Sequence, residues 1–153
     1  MSVPDLPVIR PMGEADLDAV LAIEAASYPH PWSREHFLHE LASPHSFPVV
    51  LSDNGTVAGY LCLMVLFEEA QVLNVAVAPQ QRGRGVGRQL MEYAVSEGRQ
   101  RGAEFLSLEV RASNRAAIAL YDKLGFTRTG IRPRYYEGKE DAILMEKPLQ
   151  GDV

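Results

Sequence analysis

Residues 74–88 read N-V-A-V-A-P-Q-Q-R-G-R-G-V-G-R, and this stretch restricts the fold more than any other in the chain. Val75, Ala76 and Val77 continue an apolar run that begins at Val72, and Pro79 ends any strand there. A glycine-rich, arginine-bearing turn then opens into a helical pattern over 86–101. The next apolar run, 105–110, follows this helical crossover, so its strand is expected to lie parallel to the first. Strand, basic turn and helix also compose an anion site. The first amides of a helix have no partner within it, and the macrodipole places partial positive charge at the same end. Gly83, Gly85 and Gly87 let the main chain approach a ligand and tolerate positive φ. A dinucleotide fingerprint would need glycine where Arg88 stands, and a Walker A loop would need G-K-[ST]; both are absent.

A chain of 153 residues is expected to form one domain, 1–153, with its core over about 8–148. Its hydrophobic fraction of 46% fits a globular protein and argues against disorder. No apolar run approaches the ~20 residues of a spanning helix, and residues 1–10 lack a basic-then-apolar signal architecture. The expectation is a cytoplasmic protein with no membrane partner. Cys62 is the only cysteine, which rules out an internal disulfide and agrees with a reducing compartment. The formal net charge of -5 argues against direct nucleic-acid binding and favours a cationic substrate, although such a charge also serves solubility.

In chain order, 8–10 reads as a short strand and 14–27 as a helix with Leu17, Val20, Leu21 and Glu24 at helical spacing. Ser33 caps a helix over 34–42, with Trp32 placed to pack on Phe37 as a hydrophobic staple. Strands 47–52 and 56–67 flank the hairpin turn Asp53-Asn54-Gly55, Glu68-Glu69 marks the next turn, and 70–77 completes a three-strand meander. After the crossover strand, Ser113-Asn114 caps a helix over 115–124, and 126–135 with 141–148 form a final hairpin around 137–140. The assembly is a single α+β domain with a mixed, mostly antiparallel sheet of seven strands and four helices.

Three side chains could carry chemistry. Strand 105–110 follows a crossover, so both of its faces are expected to be covered and apolar; Glu109 breaks that rule. Partial desolvation would make it a better proton acceptor near neutral pH, and the alternative is a structural ion pair with Arg111 or another arginine. Tyr121 shares a helix face with Ala117, Leu120 and Leu124, which by itself describes a packed core tyrosine. Cys62 lies in an apolar strand run and reads as a buried, inert thiol rather than an acyl carrier. His30, His36, His39 and His45 lack a metal-ligand context, and no metal is expected.

The stretch L-E-V-R-A-S-N-R-A-A-I-A-L-Y-D-K-L-G-F over 108–126 closely resembles the ribosomal-protein alanine N-acetyltransferases of the RimI type, within the GNAT superfamily. The likeness extends to I-E at Ile23 and Glu24, P-W-S at 31–33, E-A at Glu69 and Ala70, N-V-A-V at 74–77, R-G-R-G-V-G-R at 82–88 and E-D-A-I-L-M at 140–145. It implies a GNAT-type fold whose two central strands splay near Asn74, with acetyl-coenzyme A as co-substrate. Glu109 matches the general base, acting through water on the attacking α-amine, and Tyr121 matches the general acid that protonates the departing thiolate. Val75, Ala76 and Val77 match the strand that pairs with the pantetheine arm and offers a main-chain N–H to the thioester oxygen. Arg82, Gly83, Arg84, Gly85, Val86, Gly87 and Arg88 match the pyrophosphate loop, and Asn114 the coenzyme-contacting asparagine. Glu24, Glu68, Glu69, Tyr135 and Tyr136 are the expected receivers of a peptide N-terminus carrying basic residues. The implied acceptor is the N-terminal alanine of a small-subunit ribosomal protein. Another protein N-terminus, a lysine, a small amine, or a coenzyme-binding module without turnover are the alternatives, and the oligomeric state is left open by the sequence.

Overall fold

The computed structural model describes residues 6–150, so the outermost residues of the expected domain, 1–5 and 151–153, lie outside the described residues. The elements are β1 (Val8–Pro11), α1 (Leu17–Ser27), α2 (Arg34–Ala42), β2 (Ser46–Asp53), β3 (Thr56–Leu66), β4 (Glu69–Val77), α3 (Val86–Gln100), β5 (Phe105–Arg111), α4 (Arg115–Lys123), β6 (Thr127–Tyr136) and β7 (Glu140–Pro148). Short 3-10 turns, Glu14–Asp16 and Pro79–Gln81, precede α1 and the arginine-glycine loop. The seven strands follow the order β1-β2-β3-β4-β5-β7-β6. The helix expected over 14–27 therefore starts late. Asp16 explains this: its Oδ2 accepts from Gly13 N at 2.8 Å while its carboxylate pairs with Arg10, which holds the first turn tight and delays the α-helix to Leu17.

Two compact units make up the described chain, the first from residues 6–64 and 74–93 and the second from 65–73 and 94–150. In the first, β1 and β2 pair antiparallel, and β2 returns antiparallel to β3 through Asn54 and Gly55, both at positive φ as the hairpin turn requires. Ser33 Oγ accepts from His36 N at 3.1 Å and caps α2, and the Trp32 ring lies 5.2 Å from that of Phe37, which is the expected staple. Phe37 is fully buried and meets Tyr60 edge-on at 5.7 Å. Gly59 on β3 has both β4 and α3 close by: a Cβ there would stand 2.8 Å from Ala76 O and 3.0 Å from Val86 Cγ1.

In the second unit β5 pairs antiparallel with β7 from Phe105↔Pro148 to Arg111↔Ala142, and β6 folds back on β7 through a turn in which Glu137 and Gly138 take positive φ. The parallel ladder between β4 and β5 runs over Glu69↔Phe105, Ala70↔Leu106 and Gln71↔Ser107, while β4 continues to Val77 and β5 to Arg111. One expectation is corrected here. β5 is not covered on both faces: Leu106, Leu108 and Val110 are buried, whereas Ser107, Glu109 and Arg111 alternate with them on a half-open face. Glu109 thus follows the period of its strand rather than breaking it.

Candidate active site

The arginine-glycine loop leaves β4 through the Pro79–Gln81 turn and enters α3 at Val86. Gly83 and Gly85 have φ of 80° and 81° with open space around them, so backbone conformation rather than crowding calls for glycine there. Gly87 differs from its expected role: it lies in the first turn of α3 and is not among the positive-φ glycines. The first α-helical bond beyond the loop runs from Gln89 N to Gly85 O at 3.0 Å, so the amides of Val86, Gly87 and Arg88 precede the helical ladder. Arg82 is held from behind, its Nε donating to Val77 O at 3.3 Å and its Nη2 to Ser27 Oγ at 3.2 Å. Arg84 is exposed, and Arg88 pairs with Glu92 at 3.5 Å on the helix surface.

Behind the same part of β4 is a buried carboxylate. Glu24 is 1% exposed, and its Oε1 accepts from the Tyr60 hydroxyl and from Asn74 Nδ2 (2.8 Å), while its Oε2 accepts from Trp32 N (2.8 Å). Burial first, then the bond to Glu24, raises the Tyr60 hydroxyl far above its ordinary pKa, so it is a neutral donor. Tyr28, the extended residue that follows α1, donates from its hydroxyl to Val75 O. Glu24, expected to receive substrate, has its carboxylate turned to the interior, where the Tyr60 hydroxyl, the Asn74 amide and the Trp32 N–H donate to it.

The second unit carries the acid-base candidates. Glu109, on the half-open face of β5, lies 3.3 Å from Arg132 Nη2, so the structural ion pair weighed against the base role exists, with Arg132 and not Arg111. Arg111 instead makes a two-pronged pair with Glu137 (2.9 and 2.8 Å) and reaches Glu140 at 3.3 Å. Its guanidinium stands 4.3 Å from the Tyr136 ring centroid, and that of Arg132 is 5.3 Å from the Tyr135 ring. Tyr136 is pushed up to about 12, by burial first and then by the charge of Glu109. Tyr121 is 7% exposed, and burial pushes it up to about 12 as well. Its hydroxyl has no hydrogen bond among the described residues. Asn114 is exposed and spends its Oδ1 on capping α4, accepting from Ala117 N at 3.2 Å, which leaves its amide N–H donors.

The remaining candidates divide. Glu68 and Glu69 are exposed at the start of β4, and Glu69 pairs with Phe105, four residues along β5 from Glu109. At about 3.3 Å per residue this is roughly 13 Å, so the structure does not bring them to Glu109. Cys62 is fully buried, and burial raises its thiol, with the charges of Glu40 and Glu24 adding to the effect. All four histidines are exposed, and no group of three or more His, Cys, Asp or Glu could hold a metal among the described residues.

The acetyltransferase (GNAT) family model matches residues 17–126. The chain belongs to the GNAT acetyltransferase family. Among its relatives, the Escherichia coli (strain K12) enzyme named [ribosomal protein bS18]-alanine N-acetyltransferase is 40% identical over 144 residues, covering 92% of this chain and 97% of that one. The Mycobacterium tuberculosis N-alpha-acetyltransferase RimI is 37% identical over 91% of this chain and 90% of its own. The crystal structure of the ribosomal-protein-S18-alanine N-acetyltransferase from Escherichia coli superposes with a TM-score of 0.89 at 38% identity, covering 97% of each chain.

The GNAT family to which the chain belongs uses acetyl-coenzyme A. Within its first unit the structure gathers the arginine-glycine loop, the 74–77 segment of β4 and the last turn of α1; within its second it gathers Glu109, Tyr135 and Tyr136 with two charged side chains that sequence reasoning missed. Arg132 and Glu140 left no local signal, since they meet their partners through strand register. Glu24, in the first unit, was among the sequence candidates, as an acid at the end of the apolar series Leu17, Val20, Leu21.

Proposed function

We propose that this GNAT enzyme transfers acetyl from acetyl-coenzyme A to the α-amine of the N-terminal alanine of the small-subunit ribosomal protein bS18, in the cytoplasm. The observation that carries the reading is the 40% identity, over 92% of this chain, to an enzyme named for that substrate. In agreement with a soluble enzyme, no helix among the described residues is long and apolar enough to cross a membrane.

The chemistry fits direct transfer. The amine nitrogen attacks the thioester carbonyl carbon, Glu109 takes the amine proton through a water, the carbon–sulfur bond breaks, and the Tyr121 hydroxyl gives its proton to the departing thiolate, to be reprotonated from solvent. An α-amine has a pKa of about 8 against about 10.4 for lysine, so freeing it at pH 7 costs about 3 kcal/mol less, within reach of one carboxylate base. No covalent intermediate is needed, in keeping with the burial of Cys62. The arginine-glycine loop and the amides opening α3 would receive the diphosphate, β4 the pantetheine arm, Asn114 Nδ2 the coenzyme, and Tyr135 and Tyr136 the acceptor peptide.

Coenzyme A release with alanine-initiated basic peptides, compared with lysine peptides whose termini are acetylated, tests the reading. Turnover confined to free alanine termini, and reduced at least about 100-fold in Tyr121→Phe, is the expected result. Turnover of the lysine peptides alone would overturn the acceptor assignment, and a fully active Tyr121→Phe would overturn the acid.

A further inference from the structure

Residues of β4 face alternately to either side in the plane of the sheet, each presenting its N–H and C=O to the same edge. Ala78 N donates to Ala58 O at 2.8 Å, and Ala76 O approaches Gly59, so residues 76 and 78 face β3. Val75 and Val77 therefore present their main-chain groups to the opposite edge. On that edge both carbonyls are already taken by side chains: Val75 O accepts from the Tyr28 hydroxyl, and Val77 O from Arg82 Nε. The same edge presents two main-chain donors, the N–H groups of Val75 and Val77.

The residues that occupy these carbonyls are themselves fixed from the end of α1. Arg82 leans on Ser27 Oγ, which in turn donates to Ile23 O at 2.7 Å. Glu24 binds Asn74, the residue immediately before Val75, together with Tyr60 of β3 and the Trp32 amide of the connection to α2. A carboxylate with almost no exposure and three donors on it is more than a helix needs in order to pack. Besides Tyr60, its partners are the start of the 74–77 segment and the chain that follows Tyr28.

We infer that the end of α1 is a positioning clamp for the acyl donor, in which Glu24 fixes Asn74 and Tyr28 binds the Val75 carbonyl, so that the 74–77 segment of β4 is held with its Val75 and Val77 N–H groups toward the acetyl-coenzyme A thioester and pantetheine. The inference rests on the reading of β4 as the donor-binding strand but not on the identity of the acceptor. Tyr28 and Glu24 are positioning residues, since they act on the donor through main-chain atoms of β4.

The test compares wild type, Tyr28→Phe and Glu24→Gln in three measurements: the dissociation constant of acetyl-coenzyme A by titration calorimetry without acceptor, the separate KM values for donor and acceptor peptide, and the thermal midpoint. Tyr28→Phe keeps the ring and removes one hydrogen bond, and is expected to weaken donor binding about three- to tenfold with the acceptor KM unchanged and Tm within about 2 °C. Glu24→Gln, which turns one acceptor oxygen into a donor group, is expected to act in the same direction with a larger loss of Tm; if it does not fold, Tyr28→Phe alone decides. Unchanged donor affinity in Tyr28→Phe overturns the clamp, as does equal weakening of donor and acceptor accompanied by a falling Tm. Absence of peptide turnover by a wild type that still binds acetyl-coenzyme A would count against the proposed acceptor alone, and the donor-affinity comparison would still decide the clamp.

Discussion

Tyr121 is raised to about 12 chiefly because burial penalises its charged form, and a phenol in that state is fully protonated throughout the range in which an α-amine becomes free. Its neutral form contributes stability that is present below the unfolded value of about 10 and is lost only as pH rises through the folded value. Activity should therefore increase with pH through about 8, where the acceptor amine deprotonates, and show no falling limb from this tyrosine below about pH 10. A kcat/KM profile measured from pH 6 to 10 checks this, and a decline beginning near pH 8 would remove Tyr121 from the acid role. Glu109 and Tyr121 stand out as candidates because each lies in a long, distinctive run of letters. The arginine beside Glu109 was not legible, since Arg132 reaches it from a strand 23 positions later in the sequence and no local spacing records that meeting. Glu24 was visible as an acid on an apolar helical stripe, but the three donors that meet it there were not. A carboxylate that finds three donors can be buried, and its sequence position alone does not reveal them.

At the scale of elements, the turns and caps were the most legible features because their chemistry is local. Ser33 and Asn114 cap their helices as expected, and Asn54-Gly55 makes its hairpin. The covering of β5 was not legible, because whether a strand has one buried face or two depends on what packs over it. Gly59 carries a prediction of its own. A methyl group there meets the Ala76 carbonyl at 2.8 Å, a main-chain atom with little freedom to yield, and crowds Val86 and Leu90 of α3. Gly59→Ala should lower unfolding free energy by roughly 1–3 kcal/mol in urea titrations. Because the displaced strand is the 74–77 segment, donor affinity should fall as well. A variant of wild-type stability would mean that α3 and β4 can move apart freely.

For the whole molecule the relevant quantity is charge. A net charge of -5 attracts a basic acceptor at long range, and salt with a Debye length of about 10 Å at 0.1 M screens that attraction. The KM for a basic alanine-initiated peptide should rise several-fold between low salt and about 0.5 M, and that for a neutral alanine-initiated peptide should hardly change. Equal responses would show that the overall field plays no part in recognition. One further property belongs to the folded chain as a whole. Cys62 is its sole cysteine, 0% exposed, with a thiol that burial keeps protonated. Each turnover releases a free thiol into solvent, so a disulfide dye added to the running enzyme would colour with product and not with protein. The same dye in the absence of substrate would stay colourless until the core around Cys62 opened, which makes one reagent a clock for the reaction and an alarm for unfolding.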